Sequence, residues 1–318
     1  MPNNTDDFPV YLFTGFLESG KTKFIQETLE DKRFCTGEKT LLLVCEEGIE
    51  EYEPDEFADK SVSIRVIDSK EDLTTENLVK YKEETKAERC VLEYNGVWLL
   101  DDLYAAMPES WVVYQEFMFV DSTTFLNYNA NMRQLVYDKL KSCELVIFNR
   151  FTPDMDKMEF HKIVRGASRR TDICYESPKG DVQYDDIEDP LPFDLTKDVV
   201  DIGDEDYAVW YRDMSEEPKK YEGKKVRFKG RALSRKKLPS GCIVVGRHVM
   251  TCCVQDIKFA GLICTEAPVE EVEDDSWIEL TAQIHFKFHI AYKNKGPVLT
   301  YISHTKCEAP NPDVATFY

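Results

Sequence analysis

The chain has 318 residues, of which 42% are hydrophobic, so it is long enough for two domains with separate cores. Its 60 acidic residues outnumber its 40 basic residues and give a formal net charge of −20 at pH 7. A charge of that sign argues against nucleic acid or an anionic membrane surface as a partner, so an anionic ligand must be held locally.

The first residues and the cysteines bear on the location of the protein. Residues 1–8 are polar and acidic, without the basic start and apolar stretch of a secretory signal. The sequence contains no run of about 18 apolar residues that could span a membrane. We therefore expect a cytoplasmic protein. Its ten cysteines are then reduced thiols, some buried and some available as metal ligands, rather than a disulfide framework.

The most specific motif is Gly-Phe-Leu-Glu-Ser-Gly-Lys-Thr at residues 15–22, between an apolar strand at 10–14 and a helical stretch at 21–29. It has the form G-x-x-x-x-G-K-[ST] of a phosphate-binding loop in its required strand–loop–helix setting. A glycine-rich turn before a helix is the alternative. In a phosphate-binding loop, the backbone N–H groups and the positive end of the helix favour a phosphate. Lys21 would reach the β- and γ-phosphates and Thr22 would bind Mg²⁺. The loop residues predicted to bind nucleotide are Gly15, Glu18, Ser19, Gly20, Lys21 and Thr22.

Short apolar strands alternate with helical segments between residues 10 and 195, which is typical of an α/β domain with a mostly parallel sheet. The predicted strands are 10–14, 40–45, 63–67, 89–93, 111–120, 144–149 and 172–176. The predicted helices are 21–29, 75–85, 100–106, 123–142 and 155–166. We expect a P-loop nucleotide-binding domain over residues 1–195.

Two strand ends offer partners for the loop. The strand at 89–93 ends in Glu93, with Gly96 three residues later. Glu93 could hold Mg²⁺ and the Gly96 N–H could meet a γ-phosphate. An ordinary strand end followed by a turn is the alternative. Glu46 and Glu47 follow the strand at 40–45, where they could reach the metal from a mobile switch segment or form a solvated acidic loop.

The strand at 144–149 ends in Asn149-Arg150-Phe151-Thr152. The base-recognition element of GTPases is Asn-Lys-x-Asp, in which the Asp accepts two hydrogen bonds from guanine. Asn149 is in place to touch the base, whereas Thr152 cannot replace a carboxylate, and Asp154 lies two residues further on. The sequence thus does not decide whether the nucleotide is GTP or ATP.

These motifs together resemble the CobW/HypB/UreG-type P-loop GTPases, and the CobW branch most of all. The resemblance rests on residues 15–22, on Glu93 with Gly96, on Val120-Asp121 and on Asn149-Arg150, and it covers about residues 8–195. It implies a metallochaperone-like GTPase that uses Mg²⁺ and delivers metal to a client protein. The CobW branch usually carries a Cys-x-Cys-Cys metal site before the Glu-x-x-Gly strand, whereas residues 68–88 contain no cysteine here. A metal cargo site in this domain is therefore not supported.

The pattern changes in the last third of the chain. Residues 196–222 are acidic and polar, and we interpret them as a connector with one short helix. From 223 to 318 the signal is period-two alternation separated by turn residues, at 226–230, 242–249, 259–264, 277–290 and 298–304. Such a series of short strands predicts a small all-β domain of the OB-like barrel type.

Residues 247–256 place His248, Cys252, Cys253 and Asp256 close together. Thiolate and imidazole ligands suit Zn²⁺, although adjacent strand residues point to opposite faces and can share a metal only at a turn or bulge. Buried thiols that pack in the barrel core are the alternative. We keep a Zn²⁺ site at His248, Cys252 and Cys253 as a hypothesis.

The second region resembles the C-terminal domain of YcgQ-type proteins, over about residues 205–318. The matching stretches are 221–226, 247–256, Gly261-Leu262, Trp277 and 310–318. This resemblance implies a partner, a YcgR-type membrane permease, through which the protein would be peripheral to a membrane.

Three functions stay open. In the first, a nucleotide-dependent switch with slow NTPase activity, nucleotide orders the segments of Glu46 and Glu93. Lys21 and Glu93 are its catalytic residues, and Thr22 and Glu93 hold Mg²⁺. In the second, the chain is a scaffold that binds nucleotide without hydrolysis and whose β domain binds metal or a partner protein. The third is a small-molecule kinase built on the same loop.

Overall fold

The computed structural model describes residues 7–46, 48–234, 238–251 and 256–317. The chain folds as two compact units, Met1–Ile187 and Glu188–Tyr318. Over the described ranges, every helix is too short or too polar to cross a lipid bilayer.

The first unit is built on one eight-stranded sheet with the order β3-β2-β4-β1-β5-β6-β7-β8. The pairings are parallel except for that of β8 with β7, which is antiparallel. The strands are β1 (Phe8–Thr14), β2 (Thr40–Val44), β3 (Val62–Val66), β4 (Arg89–Glu93), β5 (Trp111–Asp121), β6 (Leu145–Asn149), β7 (Asp172–Glu176) and β8 (Val182–Tyr184). The helices are α1 (Lys21–Glu30), α2 (Thr75–Thr85), α3 (Leu100–Ala106), α4 (Ser122–Asn131), α5 (Arg133–Leu140) and α6 (Lys157–Ala167), with 3₁₀ turns at Pro54–Glu56 and Lys70–Asp72.

The central strands explain why this sheet forms. Every residue of β2 and of β4 is buried, as expected for parallel strands that are covered on both faces. β1 lies between β4 and β5, and the chain leaves β1 through α1 to reach β2 on the far side of β4. The carboxyl ends of β1, β2 and β4 therefore meet at one edge of the sheet, where α/β proteins commonly bind ligands.

One helix that the sequence predicts is divided into two helices in the structure. The helix expected over residues 123–142 is interrupted at Met132, which has φ −131° and ψ 41°, and the structure forms α4 and α5 instead. Asn127, Asn129 and Asn131 crowd the last turns of α4, and the Asn131 side chain donates to the Asn127 carbonyl. Asparagine competes locally with the backbone for hydrogen bonds, which disfavours a helix interior and favours its end.

The second unit is a small closed barrel. Its elements are β9 (Val199–Asp201), α7 (Tyr207–Glu216), α8 (Pro218–Tyr221), β10 (Lys225–Leu233), β11 (Ile243–Val249), β12 (Lys258–Thr265), β13 (Ser276–His289) and β14 (Asn294–Lys306). The strands β10 to β14 pair in the order β10-β11-β12-β14-β13 and return to β10, and β12 is parallel to β14. The predicted fold class, a mostly parallel α/β domain followed by an OB-like barrel, is confirmed.

The segment expected as an acidic connector, 196–222, differs from that expectation. Val200 of β9 and the α7 residues Tyr207, Trp210 and Met214 are buried in the same hydrophobic core as the barrel strands. The boundary between the units falls at Ile187 and Glu188 instead of residue 195. The apolar residues of α7 recur at helical spacing, but the many aspartates and glutamates around them make the average composition of the segment polar.

A buried arginine fixes the end of the chain to the barrel. The Arg247 side chain is 1% exposed and donates to the carbonyls of Asp204 (2.6 Å), Pro312 (3.0 Å) and Asp313 (3.2 Å). Burial lowers the pKa of its guanidinium, against the charges of Asp204 and Asp313. These bonds join β11 to the segments before α7 and after β14.

Candidate functional site

The loop between β1 and α1 has the backbone of a phosphate-binding loop. Gly15 and Gly20 have φ values of +130° and +99°, and Glu18 has φ +61°. A Cβ atom on Gly15 would lie 2.1 Å from the carbonyl oxygen of Phe119, so a side chain at this position would collide with β5. The sequence therefore needs glycine here for space as well as for conformation.

Lys21, the first residue of α1, points back into the loop. Its side chain is 3% exposed, and its Nζ donates to the carbonyls of Gly15 (2.8 Å) and Phe16 (2.9 Å). Nζ also lies 2.7 Å from Oε2 of Glu46, just beyond the end of β2. An ammonium group has three N–H donors, so this set of contacts uses all of them.

The same carboxylate reaches a second part of the site. Oε1 of Glu46 accepts from the Gly96 N–H at 3.2 Å, three residues beyond the end of β4. Gly96 packs directly against the loop, because a Cβ atom there would lie 2.6 Å from the Gly15 carbonyl oxygen. Glu46 thus joins the loop lysine to the backbone that follows β4.

Glu93, at the end of β4, is 2% exposed and binds two hydroxyl groups. The Thr22 hydroxyl donates to Oε1 at 2.8 Å and the Tyr52 hydroxyl donates to Oε2 at 2.5 Å. Burial raises the pKa of the Glu93 carboxyl, against the Tyr52 and Thr22 hydrogen bonds and the Lys21 charge, which lower it. Burial and the neighbouring Glu93 also raise the pKa of Tyr52. The sequence offered no signal for Tyr52, which lies in an acidic loop outside every motif.

The residues fit a magnesium nucleotide. The hydroxyl of Thr22 and the carboxylate of Glu93 are adjacent, and such oxygen donors are the ligands that Mg²⁺ prefers. Within the described ranges, Ser19 Oγ is buried in the loop without a hydrogen-bond partner, so it can still bind an incoming group.

Asn149 and Arg150 hold the loop from the end of β6. Asn149 Nδ2 donates to the Ser19 carbonyl at 3.2 Å. Arg150, at φ +58°, donates to the Glu18 carbonyl at 3.0 Å and to Asp121 Oδ2 at 2.6 Å. The structure therefore brings Asn149 to the loop backbone. The carboxylate of Asp154 is fully exposed, and its hydrogen bond with Thr152 lowers its pKa.

A cleft of about 170 Å³ lies over the loop. Its lining includes the cations Lys21 and Arg150 and the carboxylates Glu18, Glu46, Glu50 and Glu93. Carboxylates outnumber cations, so a polyphosphate would be repelled unless a divalent cation entered with it.

The second predicted site lies in the other unit. His248 is on β11, where its ring contacts the Phe259 ring with centroids 5.2 Å apart. Cys252 and Cys253 lie outside the described residues. Among the residues that the structure does describe, no group of three His, Cys, Asp or Glu side chains is arranged to hold a metal ion. The zinc hypothesis therefore stays a prediction.

Comparison with known proteins gives a partial match. Residues 181–314 match the family described as the DUF1980 C-terminal domain. No curated protein matches the chain. Among solved structures it is similar to the hydrogenase maturation factor HypB from Archaeoglobus fulgidus, with 13% identity, a TM-score of 0.39 and coverage of 55% of this chain and 83% of that chain.

It is also similar to the Zn(II)-bound YjiA GTPase from E. coli, with 12% identity, a TM-score of 0.40 and coverage of 85% of this chain and 92% of that chain. With identities and TM-scores this low, the likeness is coarse.

Proposed function

We propose that the first unit is a nucleotide-dependent switch that binds GTP or ATP with Mg²⁺ and hydrolyses it slowly. One observation carries the proposal: the buried Lys21 ammonium and the Gly96 N–H converge on a single anionic group above the loop. Phosphate-binding loops direct a lysine and backbone N–H groups at the β- and γ-phosphates in this way.

Each residue of the site would have its own role in binding or hydrolysing the nucleotide. Lys21 stabilises negative charge on the transferring phosphoryl group, and the Gly96 N–H donates to a γ-phosphate oxygen. Thr22 and Glu93 hold Mg²⁺, which when bound neutralises the charge of the phosphates. Asn149 fixes the loop backbone through the Ser19 carbonyl and would touch the base.

We extend the proposal to metal homeostasis or metal delivery, the role that the resemblance to the CobW branch implies. A metal-receiving client protein and a YcgR-type membrane permease are the partners that the two resemblances imply. Zn²⁺ at His248, Cys252 and Cys253 belongs to the same proposal.

One observation favours the alternative of a non-hydrolysing scaffold. Lys21 and Glu93 are both satisfied by groups of the protein itself, namely Glu46, Tyr52 and Thr22. A site closed in this way could bind nucleotide weakly without positioning water for attack.

The test uses purified full-length protein with Mg²⁺. Lys21→Ala is expected to lower the affinity for GTP or ATP at least about a hundredfold, because it removes a buried charge from the phosphate site. Lys23→Ala is the matched control, since Lys23 is on the same helix but 69% exposed. Equal affinities in Lys21→Ala and wild type would remove the proposal. Phosphate release then separates the switch, which turns over, from the scaffold, which does not.

Metal analysis tests the second site. The reduced protein is compared with a Cys252→Ser/Cys253→Ser variant after both have been exposed to Zn²⁺. Equal zinc contents would contradict the proposed ligands.

A further inference from the structure

The Glu46 carboxylate lies where the proposed function would place the γ-phosphate of a nucleotide. Its two carboxylate oxygens contact two donors from different parts of the site, Lys21 Nζ at 2.7 Å and the Gly96 N–H at 3.2 Å. In P-loop NTPases, the loop lysine and a backbone N–H beyond a neighbouring strand meet the terminal phosphate. The carboxylate therefore bridges the pair of donors that a γ-phosphate would bridge.

The lysine has no further donor to offer. Two of its N–H bonds go to the carbonyls of Gly15 and Phe16, and these bonds belong to the loop itself. The third is directed at Glu46. A γ-phosphate can gain its bond to Lys21 only if Glu46 leaves, since two anions in contact with one small site repel each other strongly.

Residues 48–51, beside Glu46, can move at low cost. Gly48, Glu50 and Glu51 are exposed, and Ile49 is 82% exposed. Beyond Glu46, Tyr52 ties this segment to the site through its bond to Glu93. A segment with few buried apolar contacts opens with little free energy.

We propose that Glu46 is a specificity-determining residue that discriminates between nucleoside triphosphates and diphosphates by acting as an internal substitute for the γ-phosphate. This inference rests on the nucleotide-binding function proposed above. A diphosphate binds with Glu46 in place, because the backbone N–H groups of the loop can hold its β-phosphate without a bond to Lys21. A triphosphate has to expel the carboxylate, which releases Glu46 from Lys21 and Gly96. This release, which reports the third phosphate, is the reverse of the ordering expected from the sequence.

The experiment measures the affinities of the full chain for GDP, GTPγS, ADP and AMP-PNP with Mg²⁺ by titration calorimetry. Glu46→Gln removes the negative charge, and Glu46→Ala removes the competing group altogether. Both are expected to tighten triphosphate binding by about tenfold to a hundredfold, the size of a charged hydrogen bond. Diphosphate affinity should change less than about twofold. Glu51→Gln removes the same charge from an exposed position of the same segment and should leave the ratio unchanged.

Three results would overturn the inference. An equal effect of Glu46→Ala on diphosphate and triphosphate would mean general repulsion, and weaker triphosphate binding would make Glu46 a ligand of the bound nucleotide or metal. A change in Glu51→Gln as large as in Glu46→Gln would assign the effect to net charge. In all three the proposed function stands. If neither wild type nor either Glu46 variant binds any of the nucleotides, the proposed function fails and this inference fails with it.

Hydrogen exchange gives a second measurement that does not depend on the variants. Peptides covering residues 46–53 of the wild type should exchange faster with a triphosphate than with a diphosphate. Equal exchange in the two complexes at saturation would contradict the expulsion of Glu46.

Discussion

A buried carboxyl group on β5 should make the stability of the first unit depend on pH. Glu116 is 4% exposed and accepts hydrogen bonds from Ser142 Oγ at 3.0 Å and from the Tyr104 hydroxyl at 3.2 Å. Burial raises its pKa to about 7, although the bonds from Ser142 and Tyr104 lower it; Asp138 raises it further and Lys139 lowers it. The perturbation is Glu116→Gln, which keeps the shape of the side chain and removes the ionisation.

The magnitude follows from proton linkage. The pKa rises from the ordinary value of 4.5 to about 7. At about 1.4 kcal/mol for each step of one in pKa, the total is roughly 3.5 kcal/mol, of which about 3 kcal/mol falls between pH 4.5 and pH 8. A raised carboxyl pKa means that the folded state retains the proton longer than the unfolded state. The contribution of Glu116 is therefore fully present below pH 4.5 and is lost as the pH rises to about 7. Above that value the loss is constant.

The assay is urea unfolding of the full chain at several pH values, read by pulsed hydrogen exchange of peptides from β5, because these report the first unit separately. The free energy of unfolding of Glu116→Gln minus that of wild type should rise by about 3 kcal/mol between pH 4.5 and pH 8. Glu109→Gln, at an exposed position, should show no such rise. A difference that stays constant across this range would refute the reasoning.

Two further variants test contacts described above. Tyr52→Phe removes a hydrogen bond to the Glu93 carboxyl. Amide hydrogen exchange of residues 48–53 should then accelerate roughly thirtyfold, which corresponds to a loss of about 2 kcal/mol in the free energy of local opening. An unchanged exchange rate would show that the bond does not hold these residues. Arg247→Met removes a buried charged donor from three carbonyl groups and should destabilise the second unit by about 3 kcal/mol in urea unfolding followed on β11 peptides. Peptides from β5 serve there as the internal reference, and an equal shift in both units would contradict a local effect.

The elements nearest the loop could be predicted because they depend on local chemistry. The spacing of Gly15, Gly20 and Lys21 requires a strand before the loop and a helix after it. The continuous apolar residues of β2 and β4 predict strands that are buried on both faces. The placement of Glu93 and Gly96 beside the loop follows from the parallel sheet, in which strand ends share an edge.

What the sequence could not show depends on contacts between distant segments. Glu46 is 25 residues from Lys21, and Tyr52 is 41 residues from Glu93, and no local pattern encodes either contact. For Glu46 and Glu47 the sequence left a metal ligand and a solvated acidic loop open. Glu46 contacts Lys21 Nζ, and Glu47 lies outside the described residues. The roles of the predicted nucleotide-binding and metal-binding residues stay predictions.

The short strand β9 determines where this chain can be divided. β11 pairs with β10 only over residues 231–233, and β9 pairs with β10 over residues 225–227. A fragment that begins at residue 223, the predicted start of the β domain, would leave the first part of β10 as an open strand edge. Such edges recruit other chains and lead to aggregation. A fragment that begins at Glu188 keeps the edge covered, so residues 188–222 have to accompany the barrel whenever the second unit is expressed alone.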